Sequence, residues 1–444
     1  MNIYISGISG TGLGPLALMA HSAKLGVCGS DLAEGAISNE LANAGIEFEV
    51  GKQDGVYLKK CFEEGRVDWF VYTSALPKDH PELAMAKKLG LRVSKRDELI
   101  AYLVEKLGLK MVAVAGTHGK TTTTAMITWT ALNLGLPVSY LVGTTLPFAE
   151  AGKYDASSEF LIYEADEYDK NFLHFFPWLS IITTVSYDHP DIYPTKFDYI
   201  RAFAKFEGQS ERVIHGRDFE GEAVSANEDT FDFSDKFSLA GRARRYDANL
   251  AIQAIFEMVE EVDLQKAEAT LIKGGKSYEG RTIDEELVVE ILNDFPGVGR
   301  RFERITNGVY SDYGHHPEEI AATVEVAKEE AERLGLSGVV VVYEPHQNTR
   351  QHEVFDGYKD AFSGVEKLFW LPTYLTRENP DLKILKPEDF IESLDNKEVG
   401  EPAEVGEKLA KQLSTLRDEG KLILLMTAGP ADKWLRAVFG EKSI

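Results

Sequence analysis

The chain has 444 residues, of which 44% are hydrophobic and 27% charged; it is too long for one core and has the composition of a globular protein. Its formal net charge of −24 disfavours DNA or RNA as a partner, since their phosphates bind basic surfaces. The two cysteines, Cys28 and Cys61, form no disulfide framework or metal cluster and suit a reducing compartment. The opening "MNIYISGISG" lacks the regions of a signal peptide, and no apolar run approaches the ~20 residues of a membrane span.

Strands alternate with helices along the chain in three blocks, which predicts α/β domains with parallel sheets. The first block has the strands "NIYISG", "VDWFVYTSA" and "LRVSK", with a helix over 15–24, and closes with the helix "ELIAYLVEKL". The second has the apolar runs "MVAVAG", "EFLIYEAD" and "LSIITTVS", which are typical of buried parallel strands. Pro296, Gly297 and Gly299 indicate a linker. The third has the strands "GVYSDYG", "GVVVVYEP", "KLFWLP" and "KLILLMTAG", with the helix "HPEEIAATVEVAKEEAERL" between the first two.

The stretch "MVAVAGTHGKTTTT" has the parts of a phosphate-binding loop: a strand, a glycine turn, a lysine and hydroxyls that begin a helix. The usual pattern G-x-x-x-x-G-K-[ST] requires a glycine at the position of Val114, whereas this chain has Gly116. Lys120 would reach the β- and γ-phosphates, and the Thr121 hydroxyl would bind Mg²⁺. The alternative is a helix start with threonine caps, but four consecutive threonines are poor helix formers, which favours the nucleotide site.

The shortened loop resembles that of the Mur ligase family, whose cytoplasmic enzymes use ATP to attach amino acids to a UDP-sugar carboxylate in peptidoglycan synthesis. Further motifs follow in the family's order: "EADEYD", "SYDHPDIYP", "GRRFERI", "SDYGHHP" and "EPHQNTR". The resemblance implies an α/β protein of three domains: a Rossmann-like UDP-sugar domain (1–107), a central P-loop ATPase-like domain (108–297) and a Rossmann-like amino-acid domain (298–444). It also implies ATP and Mg²⁺ as cofactors, and domain closure that assembles the site.

Two branches of the family share features with the chain. "GTHGKTTTT", "GRRFE" and "DYGHHP" are more similar to UDP-N-acetylmuramate–L-alanine ligases. "EADEYD", "DHPDIY" and the E-P-x-x-N-T pattern are more similar to the ligases that join a recovered murein tripeptide to the same UDP-sugar. We favour the alanine-ligase branch, so the expected partners are UDP-N-acetylmuramate and an amino acid or short peptide.

The resemblance also implies roles for individual residues. The expected catalytic residues are Lys120, His189 and Arg350. The expected metal ligands are Thr121 and Glu164 for a first Mg²⁺, and His189 near a second metal. The residues expected to bind ATP are Gly116, Thr117, His118, Gly119, Lys120, Thr121, Thr122, Asn249, Arg301 and Asp312. Those expected to bind the UDP-sugar are Gly7, Gly10, Thr11, Gly12, Asp31 and Ser74, and those expected to bind the amino acid are Tyr313, His315, His316 and Arg350. For the histidine pair, the alternative is a helix cap before Pro317.

The N-terminal glycines permit a second interpretation, an NAD-dependent oxidoreductase, because glycine turns also bind dinucleotides. Asp31, in a "GSD" turn, would then be the acidic residue of that motif. The match is poor, since Ser9 replaces the middle glycine and the frame Gly12, Gly14, Ala17 begins inside the turn. A binding protein that has lost catalysis is a third interpretation, but the lysine, hydroxyl and carboxylate of the nucleotide site are all present.

Some positions depart from the family pattern. Gln347 and His352 stand where arginines are expected to hold the acceptor carboxylate. Glutamine cannot replace the charge of arginine, which predicts an altered acceptor pocket. Arg245 replaces a histidine on the adenine side, where it either stacks on the base or is a solvated cation. Lys205 lies at the spacing of a carbamylated lysine found in several family members, but we expect an ordinary surface lysine. The segment between His189 and Asn249 is short for the family, and the oligomeric state does not follow from the sequence.

Overall fold

The computed structural model describes residues 1–73, 76–189, 192–216, 233–268, 274–376 and 378–440. Its strands form three sheets that are parallel apart from edge strands, which confirms the predicted α/β class. The chain divides into two compact units, one made of Met1–Phe237 with Tyr246–Pro296 and the other of Ser238–Arg245 with Gly297–Ile444. The first unit contains the first two sheets, and the second contains the third. The three predicted domain ranges stay predictions.

The first sheet has five parallel strands in the order β3-β2-β1-β4-β5. Its elements are β1 (Asn2–Ser6), α1 (Gly14–Ser22), β2 (Gly26–Asp31), α2 (Ser38–Asn43), β3 (Glu47–Val50), α3 (Val56–Glu63), β4 (Trp69–Tyr72), α4 (Pro81–Lys88), β5 (Arg92–Lys95) and α5 (Arg96–Leu107). The expected strands β1, β4 and β5 are present, whereas β2 and β3 were not predicted because their sequences lack an apolar run. The expectation that Asp31 lies in a turn is wrong: it ends β2, where it pairs with Val50 of β3.

A buried carboxylate joins the strands of this sheet to α4. Glu82 exposes 1% of its surface and accepts hydrogen bonds from the hydroxyls of Tyr4 (2.6 Å), Ser6 (2.6 Å) and Ser30 (2.7 Å). The Gln53 amide donates to the Ser6 and Ser30 hydroxyls at 3.2 and 3.0 Å. Burial, followed by the charge of Glu82, raises the pKa of Tyr4, so its hydroxyl stays a donor. The network therefore holds the carboxyl ends of β1 and β2 in place beneath the glycine turn.

The second sheet has six strands in the order β11-β10-β6-β9-β7-β8, with only β8 antiparallel. Its elements are β6 (Lys110–Ala115), α6 (Lys120–Leu134), β7 (Val138–Leu141), β8 (Gly152–Lys153), β9 (Phe160–Glu164), β10 (Leu179–Ile182), α7 (Lys196–Glu207), β11 (Arg212–His215), α8 (Arg242–Glu261) and α9 (Glu285–Asn293). The predicted strands β6, β9 and β10 are adjacent and almost fully buried. Their carboxyl ends therefore meet at one edge of the sheet, where open α/β sheets bind ligands.

The third sheet has six strands in the order β12-β13-β17-β14-β15-β16, with β12 antiparallel at the edge. Its elements are β12 (Glu303–Thr306), β13 (Val309–Asp312), α10 (Pro317–Arg333), β14 (Gly338–Glu344), α11 (Asn348–Val354), β15 (Lys367–Trp370), α12 (Pro387–Ile391), β16 (Gly400–Pro402), α13 (Glu407–Asp418), β17 (Lys421–Thr427) and α14 (Ala431–Phe439). The four strands predicted in this block are β13, β14, β15 and β17. Among the described helices, none combines the length and hydrophobicity that crossing a bilayer requires.

We predict that Glu82→Leu lowers the free energy of unfolding of the first unit by about 3 kcal/mol, because it leaves several buried hydroxyls without an acceptor. Glu82→Gln should cost less, since its amide oxygen still accepts a hydrogen bond. Urea denaturation of the two variants and the parent measures both values. A Glu82→Leu variant as stable as the parent would show that the network contributes nothing to stability.

Candidate active site

At two positions in the loop between β6 and α6, the backbone has a conformation that favours glycine. Gly116 and Gly119 have φ angles of +137° and +83°, which are unfavourable for other residues. A Cβ on Gly116 would lie 2.1 Å from Thr183 Oγ1, and one on Gly119 would lie 2.5 Å from Asp247 Oδ1. These contacts explain why the chain has glycine at position 116 although the usual pattern has it two residues earlier.

The residues after β10 hold the loop from its other side. The Thr117 amide donates to Thr184 O at 2.8 Å, the His118 amide donates to Thr184 Oγ1 at 2.9 Å, and Thr183 Oγ1 donates to His118 O at 2.5 Å. The Thr117 hydroxyl lies 2.8 Å from the buried Tyr199 hydroxyl. Sequence reasoning missed Thr183 and Thr184, although their position directly after the buried strand β10, at this edge of the sheet, was a usable signal.

Lys120 begins α6 and forms a buried ion pair with Glu167. Its ammonium lies 3.0 Å from Glu167 Oε1 and 2.9 Å from Oε2, and donates to Gly116 O at 2.5 Å. The side chains expose 15% and 2% of their surfaces. Burial lowers the pKa of Lys120, but Glu167 and Asp166 outweigh it and the net shift is upward; burial raises the pKa of Glu167, but Lys120 and His189 lower it overall. Both groups are therefore charged at neutral pH.

His189 lies on the other side of the same carboxylate. Its Nε2 is 3.7 Å from Glu167 Oε1 and 3.6 Å from Asp188 Oδ2, and its ring packs edge-on against Tyr168. The backbone at His189 has a φ of +59°, an uncommon conformation for a residue other than glycine. Glu167 thus joins two residues with expected catalytic roles. Sequence reasoning missed it because only the first carboxylate of "EADE" was assigned.

Thr121 and Glu164 form the expected oxygen pair. Thr121 Oγ1 donates to Glu164 Oε1 at 2.8 Å, and the Gly143 amide donates to Glu164 Oε2 at 3.1 Å. Two adjacent oxygen ligands of an octahedral Mg²⁺ lie about 2.9 Å apart, since each bond is about 2.1 Å, so this pair fits the ion. Gly119, with no side chain, is the N-cap of α6, and Thr122 lies inside the helix. The capping interpretation of the threonines therefore lacks support.

The glycine turn after β1 precedes α1. The Ser9 amide and hydroxyl donate to Asp31 Oδ2 at 2.9 and 2.6 Å, so this carboxylate fixes the turn. Gly7 has a φ of +88°, and the Gly14 amide donates to Gly10 O at 2.8 Å. Thr11 and Gly12 are exposed at the rim of the turn. Ser74, also expected to contact the UDP-sugar, lies outside the described residues.

The predicted acceptor residues of the second unit lie at the ends of β13 and β14. His315 Nε2 is hydrogen-bonded to the Arg350 guanidinium of α11, and its Nδ1 lies 3.2 Å from Tyr313 O. Arginine only donates, so Nε2 accepts, and the ring is neutral with its hydrogen on Nδ1. Burial lowers the pKa of His315 to about 4, and Arg350 adds to this shift against the opposing effect of Glu319. His316 takes the alternative role: it is the N-cap of α10, and its side chain accepts from the Glu318 amide.

Arg301, Asp312 and Tyr313 lie close together in the same unit. The Tyr313 ring packs against the Arg301 guanidinium at 5.4 Å and against His315 at 5.6 Å. Asp312 is buried and accepts from the Phe302 and Gly314 amides at 2.7 and 2.6 Å. Asp312 therefore stabilises the turn that carries Tyr313 and His315.

Other expected residues have structural contacts of their own. Asn249 is buried in the first unit, where its side-chain oxygen accepts from the Phe233 amide at 2.9 Å. Arg245, in the second unit, forms an ion pair with Glu329 at 2.9 Å. His352 Nε2 lies 2.8 Å from Lys383 O. Lys205 is exposed on α7, in agreement with the expectation of a surface lysine.

We predict that the second unit loses stability as the pH falls from about 6.5 to about 4. Unfolded His315 binds a proton in this range and folded His315 does not, so protons favour the unfolded chain by up to about 3 kcal/mol. His315→Gln keeps an acceptor for Arg350 but cannot titrate, and should flatten this dependence. Hydrogen exchange of amides in the third sheet measures it, with the exposed His174→Gln as control. An unchanged pH dependence in His315→Gln would contradict the assignment.

Comparisons with known proteins match both sheets of the first unit to one family. Residues 2–106 match the Mur ligase family catalytic domain, and residues 114–253 match the Mur ligase middle domain. The residues of the glycine turn, the phosphate loop, Glu164, Glu167 and His189 all lie within these two matches.

Three solved structures show the same fold along nearly the whole chain. The UDP-N-acetylmuramate–alanine ligase of Thermotoga maritima is 21% identical with a TM-score of 0.74, covering 99% of this chain and 98% of that one. The murein peptide ligase of Psychrobacter arcticus is 21% identical with a TM-score of 0.60, covering 100% of both chains. A pseudomurein peptide ligase type C of Methanothermus fervidus is 15% identical with a TM-score of 0.55, covering 99% of both. Taken with the two domain matches, these observations establish that the chain belongs to the Mur ligase family.

Proposed function

We propose that the protein is an ATP-dependent ligase that joins the lactyl carboxylate of UDP-N-acetylmuramate to an amino acid, L-alanine in the favoured case. The observation that carries this proposal is the cluster at the start of α6, where Lys120, Thr121 and Glu164 lie beside a glycine loop. This is the residue set that phosphoryl transfer requires, namely backbone donors, a cation and oxygen ligands for a metal.

In the proposed reaction, a carboxylate oxygen of the sugar attacks the γ-phosphorus of ATP, and ADP leaves. The resulting acyl phosphate is attacked at its carbonyl carbon by the acceptor amine, which loses a proton; the amide forms and phosphate departs. Lys120 stabilises the charge on the transferred phosphoryl group. Thr121 and Glu164 would hold Mg²⁺, and His189 would lie near a second metal; these ions supply further charge neutralisation when bound. Arg350 would bind the acceptor's carboxylate.

A second candidate acceptor is a murein tripeptide. Its support is the E-P-x-x-N-T pattern, in which the buried Asn348 donates to Lys383 O at 3.1 Å and accepts from the Leu385 amide at 2.9 Å. The Thr349 amide donates to Glu378 Oε2 at 3.0 Å. These contacts hold Glu378, Lys383 and Leu385 against the start of α11, the helix that carries Arg350. Gln347, in place of an arginine, also leaves less positive charge for a free amino acid.

The assay that tests the proposal is ADP release from ATP in the presence of UDP-N-acetylmuramate and one acceptor at a time. L-Alanine, L-serine, glycine and the murein tripeptide form the acceptor panel. ADP release that requires both the UDP-sugar and one acceptor supports the ligase and identifies its branch. ADP release that is independent of the UDP-sugar would overturn the proposal.

We predict that Lys120→Ala reduces kcat by about 100-fold or more, since one cationic contact to the transition state is lost. The sequence alone suggests that this change leaves the fold intact, but Glu167 would lose its lysine partner while staying buried, and breaking a buried ion pair typically costs about 3–5 kcal/mol. The double variant Lys120→Ala/Glu167→Gln should therefore recover thermal stability without recovering turnover.

The control for this pair is Lys153→Ala, at an exposed position on β8. It should match the parent in both ADP release and melting temperature. Near-parent turnover in Lys120→Ala would remove the phosphate loop from the proposed mechanism.

We predict that Arg350→Ala raises the KM for the acceptor by about 10- to 100-fold, since a charge-assisted contact contributes about 1.5–3 kcal/mol, and leaves the KM for ATP nearly unchanged. Gln347→Arg separates the two acceptors: it should lower the KM for L-alanine if a free amino acid is the substrate, and should not help a tripeptide. Initial rates at varied acceptor and ATP concentrations provide these constants. An unchanged acceptor KM in Arg350→Ala would exclude the assigned contact.

A further inference from the structure

Arg96 is a cation beside the glycine turn to which sequence reasoning gave no role. It is the first residue of α5, and its side chain exposes 19% of its surface. Its Nη1 lies 3.4 Å from the position that a Cβ on Gly12 would take. The guanidinium therefore lies at the rim of the turn that precedes α1, where helix amides and the helix dipole favour phosphate.

The hydrogen bonds of Arg96 leave one end of the guanidinium available. Its Nε donates to Asp97 Oδ1 and its Nη2 donates to Asp166 Oδ2, both at the long distance of 3.4 Å. Within the part of the chain that the structure describes, no protein acceptor is hydrogen-bonded to Nη1, the nitrogen nearest Gly12. A guanidinium held on two sides with its remaining donors directed at a glycine turn is suited to a phosphate oxygen.

Asp166 connects this cation to the proposed ATP site. It belongs to the segment "EADEYD", which we call the acidic loop (residues 164–169). Two carboxylates of the acidic loop contact the start of α6, namely Glu164 through Thr121 and Glu167 through Lys120. The other two contact the start of α5, namely Asp166 through Arg96 and Asp169 through Lys95 at 2.5 Å. A movement of Arg96 therefore acts directly on the segment that carries Glu164 and Glu167.

We propose that Arg96 binds the pyrophosphate of the nucleotide-sugar substrate, and that its contact with Asp166 couples this binding to the ATP site. The identity of the ligand rests on the function proposed above. Pyrophosphate is favoured over the sugar's carboxylate because Nη1 faces the backbone at the start of α1. Bound pyrophosphate competes with Asp166 for the guanidinium, and Asp166 and the acidic loop respond to the change in that contact.

Calorimetric titration of the full chain with UDP-N-acetylmuramate tests the first part. Arg96→Met should weaken binding at least tenfold, and Arg96→Lys should weaken it less, since an ammonium retains charge but not the planar fork. Binding of UMP, which lacks the second phosphate, should be affected less than binding of the nucleotide-sugar. The control is Arg92→Met: Arg92 lies four residues before Arg96, at the start of β5, and stacks on Trp69 at 3.5 Å, so its loss should leave affinity unchanged.

The second part is tested by the affinity for a non-hydrolysable ATP analogue with Mg²⁺, measured with and without the nucleotide-sugar. In the parent, the nucleotide-sugar should change this affinity several-fold, and the change should disappear in Asp166→Asn. Because Asp166→Asn retains Arg96, it should still bind the nucleotide-sugar, which separates lost coupling from lost binding. A purely structural role of the Arg96–Asp166 contact would lower the melting temperature without altering the ratio of the two affinities.

The outcomes distinguish failure of the proposed function from failure of the role assigned to Arg96. If the parent chain fails to bind UDP-N-acetylmuramate, the proposed function falls and this inference falls with it. If the parent binds and Arg96→Met binds equally well, only the inference about Arg96 is overturned. Unchanged coupling in Asp166→Asn overturns the proposed link to the ATP site.

Discussion

The ion pair between Lys120 and Glu167 is the interaction on which the candidate site depends. Two opposite charges buried at 2.9 Å stabilise each other, whereas either one alone would be strongly unfavourable at this depth. Lys120 ends the phosphate loop and Glu167 lies in the acidic loop. Because His189, which follows β10, also contacts the Glu167 carboxylate, the ion pair joins three segments. The position of each segment is therefore linked to that of the other two.

The parallel sheet explains why these segments meet. The strand order is β10-β6-β9, and all three strands end at the same edge. The phosphate loop, which follows β6, therefore lies between the segments that follow β10 and β9. The strands themselves are apolar and buried on both faces, so they contribute stability and leave the chemistry to the segments that follow them. In the second unit, the same rule places Asp312 at the end of β13, His315 after β13 and Arg350 after β14.

The sequence predicts the features that depend on local pattern. Buried strands such as β6, β10 and β14 were recognised because their apolar runs are continuous. The start of α6 at Lys120 and the cap formed by His316 also follow from local signals. Strands β2 and β3 were missed, since they form by pairing, β2 with β1 and β3 with β2, and neither has an apolar run of its own. Glu167 was missed because its partner Lys120 is distant in sequence, and no spacing rule selects it among neighbouring acidic residues.

Family membership also decides between interpretations of the N-terminal glycines. The turn itself is compatible with a dinucleotide, and Asp31 occupies the strand end where an acidic residue would contact a ribose. In the structure, however, Asp31 Oδ2 accepts hydrogen bonds from the Ser9 amide and hydroxyl, and Asp31 Oδ1 accepts one from the Leu32 amide. The turn is thus preorganised, and Arg96 at its rim adds the charge that a pyrophosphate needs.

Oxygen-isotope transfer tests most directly whether a carboxylate is activated by phosphoryl transfer at the start of α6. UDP-N-acetylmuramate labelled with ¹⁸O in its lactyl carboxylate is turned over with ATP and the active acceptor, and the released phosphate is analysed by mass spectrometry. We expect one ¹⁸O atom in each phosphate formed during ligation, because a carboxylate oxygen attacks the γ-phosphorus and leaves with it. Phosphate without ¹⁸O during amide formation would contradict the acyl-phosphate route.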